Sequence, residues 1–386
     1  MKPVNATEAP GMGASARKIL LNRNENPWGP PSSAVKLITQ LAFAAHRYPA
    51  DLHRACTLAV ARAMELGTDQ VVLTTGIDEA IDLFLSLGSS LFVFWPGFSG
   101  YVDRAAAVGL DVAQVSLSPG FCLPERALRS GPIDLLVVNS PHNPTGIAYD
   151  PEQIVRLAAK CNYLLCDETY IEFSTKRSVL TSGWPENAIV FRSFSKAYGL
   201  AGLRVGCLVA SKRLVARMEA KKAFYTVDTI SLAGVLGALE EPDHVSMTVE
   251  AIRSERQKLF NGLLAIPHIR VWNSEANFLL FKGETEQLTA QIGRDLEQSG
   301  VLVCDCRDFG LPHHWRVSIG TPTENEYFLQ SMRRIGNNAE NPNRTQLNSG
   351  THLPVGNGRS DVSALQGSVS GRSSCRRVDK SNCDET

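Results

Sequence analysis

The feature that most constrains the fold is an alternation of short apolar runs with helical stretches through residues 71–209. Seven apolar runs have the length of strands: residues 71–75, 91–95, 112–115, 133–139, 163–166, 188–192 and 204–209. This alternation predicts an α/β domain with a mainly parallel, seven-stranded sheet. Because the runs are apolar nearly throughout, helices should cover both faces. The last two runs are joined by a loop too short for a helical crossover, which predicts one antiparallel strand.

Changes in composition divide the chain into four parts. Residues 1–31 include a Pro- and Asn-rich segment, which we expect to form an N-terminal arm, and residues 32–240 form the large α/β domain. Residues 241–336 combine four more strand-like runs with helical stretches and predict a smaller α+β domain. Residues 337–386 contain no Phe, Trp or Tyr and are rich in Asn, Ser, Gly and Arg. Such a stretch cannot build a core, so we expect a disordered tail.

Charge and cysteine usage exclude several classes of function. The 39 Lys and Arg residues balance 39 Asp and Glu residues, whereas a nucleic-acid-binding protein usually carries a basic excess. Nine scattered cysteines without CxxC spacing favour a reducing compartment over a disulfide framework or a zinc site. The N-terminus lacks a signal-peptide core, and glycines and a proline interrupt the uncharged stretch 83–102, which argues against a membrane span. We expect a cytoplasmic protein without nucleic-acid or membrane partners.

Polar residues cluster where the strands should end. The segments 140–146 (SPHNPTG) and 167–170 (DETY) each follow an apolar run, and 194–198 (FSKAY) follows another. Ligands of open α/β sheets bind outside the carboxyl ends of the parallel strands. The turn at 75–78 opens a helix whose amides could hold a phosphate. Pyridoxal phosphate needs such a phosphate site, a lysine for its aldehyde and a carboxylate for its ring nitrogen.

Each of these residues also has an ordinary structural explanation. Lys196 could be a solvated surface residue, Asp167 could cap a loop, and NPTG could be only a turn. His313 and His314 would suggest a metal, but neighbours in an extended segment point in opposite directions. We therefore expect a surface loop there and no metal. The order and spacing of the other segments make the set specific.

The segments resemble those of fold-type I class I and II aminotransferases, and most of all the histidinol-phosphate aminotransferases. The similar segments are 21–30 (LNRNENPWGP), 47–49 (RYP), 75–83 (TGIDEAIDL), 139–146 (NSPHNPTG), 166–173 (CDETYIEF), 191–206 (FRSFSKAYGLAGLRVG) and 274–281 (SEANFLLF). The resemblance implies pyridoxal 5′-phosphate as cofactor and a homodimer. It also implies transfer of an amino group between an anionic amine or amino acid and a 2-oxo acid such as 2-oxoglutarate.

The resemblance assigns catalytic roles to individual positions. It implies that Lys196 binds the cofactor covalently and, once freed by substrate, moves the Cα proton. Asp167 would keep the ring nitrogen protonated, and Asn143 and Tyr170 would bind the phenolic oxygen.

The resemblance also implies the contacts that surround this centre. The phosphate would be held by the amides of Ile77 and Asp78 and by Ser193, Ser195 and Arg204. Phe98 would lie over the ring, and Tyr48 would reach the phosphate of the partner subunit. The substrate would be bound by Arg316 and Asn26.

One position departs from the family and leaves the substrate open. Cys304 stands where relatives usually carry a second arginine, and its loss removes bidentate recognition of a phosphate or carboxylate. Arg307 could replace that arginine; otherwise an ordinary amino acid is the better candidate. Segments 96–99 (PGFS) and 305–310 (DCRDFG) also resemble threonine-phosphate decarboxylases of the same fold. A non-catalytic paralogue or regulator that binds pyridoxal phosphate is the remaining alternative.

Overall fold

The computed structural model describes residues 18–124 and 133–340. The expected tail therefore lies outside the described residues from residue 341 onward, as does most of the expected arm. The strands are β1 (Ile19–Leu21), β2 (Val71–Thr75), β3 (Ser90–Trp95), β4 (Asp111–Ser116), β5 (Ile133–Asn139), β6 (Cys161–Asp167), β7 (Ala188–Ser193), β8 (Val205–Ala210), β9 (Ile269–Val271), β10 (Phe278–Gly283), β11 (Val301–Asp305) and β12 (Trp315–Ser318). The helices are α1 (Ser32–Leu41), α2 (Ala50–Ala63), α3 (Gly76–Leu85), α4 (Gly100–Ala107), α5 (Pro151–Leu157), α6 (Lys212–Glu219), α7 (Thr229–Glu240), α8 (Pro242–Leu264), α9 (Glu286–Gln298) and α10 (Pro322–Glu340).

The larger sheet has seven strands in the order β2-β8-β7-β6-β5-β3-β4. The β3–β4, β3–β5, β5–β6 and β6–β7 pairs are parallel, and β8 runs antiparallel to both of its neighbours. The seven strands and the single antiparallel strand predicted from the sequence are confirmed. The chain reverses direction between β7 and β8 because the loop that joins them is too short for a helical crossover, which a parallel pair would need.

Both faces of this sheet are buried in apolar side chains, as the unbroken apolar runs predict. Along β6, Leu164 and Cys166 point into one hydrophobic cluster, while Leu165 points into the other. The first cluster includes side chains of α2 and α7, and the second includes side chains of α3, α4 and α6. Packing of helices on both faces holds the strands in place, so the polar residues at the strand ends have fixed positions.

The smaller sheet has five strands in the order β1-β11-β12-β10-β9. Four of them and helix α9 lie where the sequence predicts an α+β module. Strand β1 was not predicted: it belongs to the N-terminal arm, and it pairs in parallel with β11. Helices α8, α9 and α10 bury Leu259, Ile292 and Phe328 in the core of this module. In the described part of the chain, no helix is long and apolar enough to cross a membrane.

The two sheets are joined by backbone contacts around one cleft. The amide of Glu275 donates to the carbonyl of Gly146 (2.7 Å), and the amide of Gly97 donates to the carbonyl of Phe309 (3.0 Å). Contacts group the described residues into one compact unit. Within that unit we keep the boundary between the large and small domains, near residue 240, as a proposal.

Candidate active site

Lys196 lies in the loop between β7 and β8, at the centre of the cleft. The ammonium group donates a hydrogen bond to the carbonyl of Arg23 in the N-terminal arm (2.9 Å). It also lies 5.9 Å from the centre of the Tyr170 ring. Burial, followed by the charge of Arg316, lowers the pKa of Lys196 to about 8. Near neutral pH this amine is therefore far easier to deprotonate than an ordinary lysine.

Asp167 is the last residue of β6, and its carboxylate is buried beneath the cleft. One oxygen accepts from the Tyr101 hydroxyl (2.5 Å), and the other accepts from the amide and hydroxyl of Thr169 (3.0 and 2.6 Å). Burial raises the pKa of Asp167, and these hydrogen bonds act in the opposite direction. The ring of Phe98 meets Tyr101 edge to face, with 5.6 Å between centroids, so Phe98 packs against one of the residues that hold this carboxylate.

Asn143, which follows β5, and Tyr170, which follows β6, make hydrogen bonds to the smaller sheet and to the N-terminal arm, respectively. The Asn143 side-chain oxygen accepts from Nη1 of Arg316 (2.5 Å). The Tyr170 hydroxyl accepts from Nδ2 of Asn24 (3.1 Å). Nη2 of Arg316 donates to the carbonyl of Asn22 (3.1 Å), whereas its buried Nε has no partner among the described residues. This guanidinium is thus positioned by its two amino groups and keeps one free donor.

A turn at the start of α3 and the residue before β8 form a second cluster of the site. Nη2 of Arg204 donates to Asp78 (3.0 Å). Gly76 has a φ of +68°, and a Cβ added there would lie 2.7 Å from the same Nη2 atom. Arg204 itself adopts a φ of 53°, a left-handed conformation that costs a non-glycine residue on the order of 1–3 kcal/mol. The fold therefore keeps Arg204 in a strained backbone conformation while its guanidinium lies close to Gly76. Strained residues of this kind are often found at functional sites.

The remaining phosphate candidates lie close to this turn. Ile77 and Asp78 are in the first turn of α3, where backbone amides have no partner inside the helix. Ser193 ends β7 opposite Gly206, and its hydroxyl accepts from the amide of Ser195 (3.2 Å). Three elements thus bring hydroxyl and amide donors and a guanidinium together, which is the donor set that a phosphate needs.

Comparison with known proteins identifies the family of this chain. The family model for aminotransferase class I and II matches residues 16–332. A histidinol-phosphate aminotransferase from Halobacterium salinarum is 33% identical over 339 residues, which cover 82% of this chain and 90% of that protein. The chain belongs to the class I and II aminotransferase family. It is therefore a transaminase, and its cofactor is pyridoxal 5′-phosphate.

Two solved structures show how widely this fold is shared. The histidinol-phosphate aminotransferase from Clostridium acetobutylicum superposes with a TM-score of 0.76 at 23% identity, covering 83% of this chain and 99% of that one. The L-threonine-O-3-phosphate decarboxylase from Porphyromonas gingivalis gives a TM-score of 0.72 at 20% identity, covering 82% of this chain and 99% of that one. At these identities the likeness establishes the fold alone.

The described residues of this aminotransferase fit its cofactor. The donors to Asp167, Tyr101 and Thr169, are uncharged, so the buried carboxylate can still gain a cationic partner such as a protonated ring nitrogen. Because Gly76 has no side chain, there is space beside it for the Arg204 guanidinium. Lys196 supplies an amine whose pKa is already lowered.

Two predicted residues do not join the cluster through their side chains. Tyr48 is 87% exposed, and its ring lies 5.7 Å from that of Tyr225. The Asn26 side chain donates to the carbonyl of Ala197 (3.0 Å) and accepts from the amide of Trp28 (3.0 Å). Asn26 therefore connects the N-terminal arm to the Lys196 loop.

Sequence reasoning missed several residues that organise this site. Tyr101 and Thr169 hold Asp167, and Asn24 holds the Tyr170 hydroxyl. The side-chain oxygen of Asn139 accepts from the amide of Asn143 (2.5 Å). Thr169 and Asn139 lie inside segments already recognised as similar to the family, so closer attention to those segments would have found them. Tyr101 gave no such signal, because it belongs to a helix that the alternation pattern does not single out.

The position that departs from the family lies directly opposite Arg316. Cys304 pairs with Arg316 across β11 and β12. Arg307, the residue that could have replaced the missing arginine, is 76% exposed in its side chain and pairs with Asp305 at 3.3 Å. Arg316 is thus the buried guanidinium at this end of the site.

Proposed function

We propose that Lys196, Asp167, Asn143, Tyr170 and Arg204 hold the cofactor of this transaminase. The observation that carries the proposal is the convergence of these five residues, from the ends of β5, β6 and β7 and the start of β8, on one cleft. Ile77, Asp78, Ser193 and Ser195 would complete the phosphate site, and Phe98 would lie against the ring. When bound, pyridoxal 5′-phosphate supplies an electron sink for the bonds at the substrate's Cα atom.

Lys196 and Asp167 are the residues that we assign to catalysis, with Tyr170 between them. The Lys196 amine is placed to take the proton from Cα and return it, because its pKa of about 8 permits both protonation states near neutral pH. Asp167 supplies a fixed negative charge at the base of the cleft. The Tyr170 hydroxyl, held by Asn24, remains available to donate its own proton to an oxygen in the site.

We assign Arg316 to the carboxylate of the amino donor or acceptor. Arg316 is 5% exposed, its guanidinium lies over the rings of Phe278 and Phe309 (5.2 and 5.3 Å), and its Nε has no partner among the described residues. A buried cation with a free donor favours an anionic ligand strongly, because few water molecules compete for it. Asn26 contributes at the same cleft by fixing the arm against the Lys196 loop.

The donor that this pocket fits best is an amino acid with a single carboxylate clamp. Relatives named histidinol-phosphate aminotransferase make histidinol phosphate the other candidate. Two observations disfavour histidinol phosphate. Cys304 carries a thiol where relatives usually have an arginine, and Arg307 is exposed and forms an ion pair with Asp305. In this part of the site, Arg316 is then the one buried guanidinium that the described residues offer to a phosphate dianion.

We further propose a cytoplasmic homodimer. The rings of Tyr48 and Phe224 each pack against the ring of Tyr225 on the protein surface. Phe224 is 94% exposed there. The hydroxyl of Thr75, which precedes the phosphate turn, donates to the carbonyl of Thr226 (2.8 Å). The aromatic cluster therefore adjoins the phosphate site, and a second copy covering it would bring its Tyr48 near that site. The seven cysteines in the described residues are unpaired, in keeping with a reducing compartment.

A panel of amino donors with 2-oxoglutarate tests this function. Glutamate formation from amino acids, absent in Lys196→Ala, is the expected result. Carbon dioxide release from threonine phosphate without any 2-oxo acid would instead establish a decarboxylase. The absence of turnover with every donor would favour a non-catalytic paralogue.

The variant Cys304→Arg tests the substrate assignment. Restoring the second guanidinium should raise kcat/KM for histidinol phosphate roughly tenfold relative to an amino acid, because hydrogen bonds to a charged group are worth about 1.5–3 kcal/mol each. Cys122→Arg, a change at an exposed cysteine, is the matched control. An unchanged ratio in Cys304→Arg would show that this position does not select the substrate.

A further inference from the structure

Two cysteines lie beside the substrate guanidinium, and transamination uses neither of them. Cys304 is directly opposite Arg316 in the antiparallel register of β11 and β12. Side chains of opposite residues share one face of the sheet, with Cβ atoms roughly 4.5–5.5 Å apart. The partly exposed Cys304 thiol is therefore placed next to the Arg316 guanidinium and within reach of solvent.

Cys306 follows two residues later and is fully buried against Leu280 and Leu311. Its thiol lies 3.8 Å from the carbonyl oxygen of Cys304. The backbone turns at Cys306 (φ −92°, ψ 14°), just after β11 ends. Because side chains two residues apart along a strand point to the same face, both cysteines lie on the face of the sheet that carries Arg316.

The charges around Cys304 favour its thiolate. A hydrogen bond from Cys306, supported by the positive charge of Arg316, lowers the pKa of Cys304 despite burial and the nearby carboxylates of Asp305 and Asp308. The hydrogen bond to Cys304 and burial raise the pKa of Cys306, which stays protonated. While still protonated, Cys304 can donate to the carbonyl of Asp305 (3.5 Å). The thiolate is the reactive form towards oxidants and electrophiles.

We propose that Cys304 and Cys306 form an oxidisable thiol pair, in which Cys304 reacts with a peroxide and Cys306 then closes an intrachain disulfide. The Cys304 sulfur attacks one peroxide oxygen, the O–O bond breaks, and a sulfenic acid and hydroxide are formed. The Cys306 sulfur then attacks the Cys304 sulfur, the S–O bond breaks, and the Cys306 proton leaves with the hydroxyl group as water. Two thiols are oxidised by two electrons, and one hydrogen peroxide is reduced to two water molecules.

The backbone geometry permits this bond and makes it reversible. Two residues along an extended strand span about 6.6 Å between Cα atoms, at the upper end of the roughly 4.4–6.8 Å that disulfides bridge. Asp305, the residue between the two cysteines, is still part of β11, so this spacing applies to the pair. A bond at the edge of this range is strained, and strained disulfides are readily reduced. Its formation would remove the thiolate charge beside Arg316.

Peptide mass spectrometry of the full-length, reduced protein after brief treatment with hydrogen peroxide tests the pair without depending on activity. The peptide that contains both cysteines should lose two hydrogen atoms and regain them with dithiothreitol. Cys304 should be oxidised at least about tenfold faster than Cys122, although Cys122 is exposed, because thiolate character controls the rate. Oxidation of Cys304 no faster than Cys122, or a disulfide from Cys304 to another cysteine, would overturn the proposal.

Two variants separate the roles of the thiols. In Cys306→Ser, dimedone should trap a sulfenic acid on Cys304, and no disulfide should form. In Cys304→Ser, neither product should form, and in the control Cys122→Ser the wild-type pattern should remain. Should Cys306→Ser fail to fold, the wild-type measurement still decides the matter. Equal oxidation products in Cys304→Ser and the wild-type protein would also contradict the pair.

Discussion

The two sheets contribute unlike halves of the site. At the end of β6, both oxygens of Asp167 accept hydrogen bonds from Tyr101 and Thr169. On β12, Arg316 keeps one buried nitrogen without a partner in the described residues and faces Cys304. In the first half the functional group is held by hydrogen bonds within the chain, whereas the second half keeps a buried donor without a partner among the described residues. We infer that the larger sheet sets the chemistry and the smaller sheet sets the choice of substrate.

Substitution in the first half should have the largest effect. In Asp167→Asn the fixed charge is lost while the shape is kept, so kcat should fall on the order of 10²–10³-fold, as for other preorganised electrostatic groups. Steady-state kinetics with the best donor measures this. Asp134→Asn is the control, because Asp134 lies at the opposite end of neighbouring β5 and accepts from Ser89 there. Equal losses of kcat in both variants would mean that the effect is structural.

Substitution in the second half should change binding more than turnover. Arg316→Lys removes the planar guanidinium and its free Nε, so KM for the donor should rise roughly 10–100-fold, the equivalent of about 1.5–3 kcal/mol for hydrogen bonds to a charged group. The value of kcat should change less. Arg307→Lys, at an exposed arginine on the same edge, should leave KM nearly unchanged. A loss of kcat as large as in Asp167→Asn would remove the distinction between the two halves.

Cofactor uptake by the apoenzyme should depend on pH through Lys196. Only the neutral amine reacts with an aldehyde, and its pKa of about 8 means that the neutral fraction rises roughly tenfold between pH 7 and 9. Stopped-flow absorbance during reconstitution measures the rate. The rate at which the side-chain amine of Nα-acetyl-lysine reacts with the cofactor in the same buffers corrects for titration of the cofactor itself. A midpoint near the ordinary lysine value would contradict the lowered pKa of Lys196.

The smallest expected effect concerns Gly76, which lies in the turn at the start of α3 where we propose that the cofactor phosphate binds. Gly76→Ala should weaken cofactor affinity several-fold, because the new methyl group would displace the Arg204 guanidinium. It should also lower the free energy of unfolding by about 1 kcal/mol, the cost of a Cβ at positive φ. Gly183→Ala is matched for that cost, since Gly183 has a φ of +69° and nothing lies within 4 Å of its Cβ position. Equal cofactor affinities in the two variants would show that Arg204 is not displaced.

Much of the larger sheet could be predicted from the sequence, because its strands are apolar on both faces and are separated by recognisable helices. The antiparallel direction of β8 followed from loop length alone. Strand β1 could not be predicted in this way, since three residues show no alternation and their partner, Val301–Asp305, lies far along the chain. Helix α10 begins just beyond the last predicted strand, where the sequence analysis assigned no element.

The same division holds within the site. Residues at strand ends, such as Asp167 and Ser193, could be placed because neighbouring parallel strands end at one edge. Tyr101 could not, because its hydroxyl reaches Asp167 from α4, across 66 positions of sequence. The free donor of Arg316 and the contact between Cys304 and Cys306 depend on side-chain geometry that no sequence pattern encodes.

The most direct test of the account is the identity of the lysine that carries the cofactor. Reduction of the holoprotein with borohydride, followed by peptide mass spectrometry, should find the pyridoxyl group on Lys196 and nowhere else. The Lys196→Ala variant, shown to be folded by circular dichroism, should carry no label and form no glutamate from any donor. A pyridoxyl label on a different lysine, or transamination that persists in Lys196→Ala, would contradict the central claim.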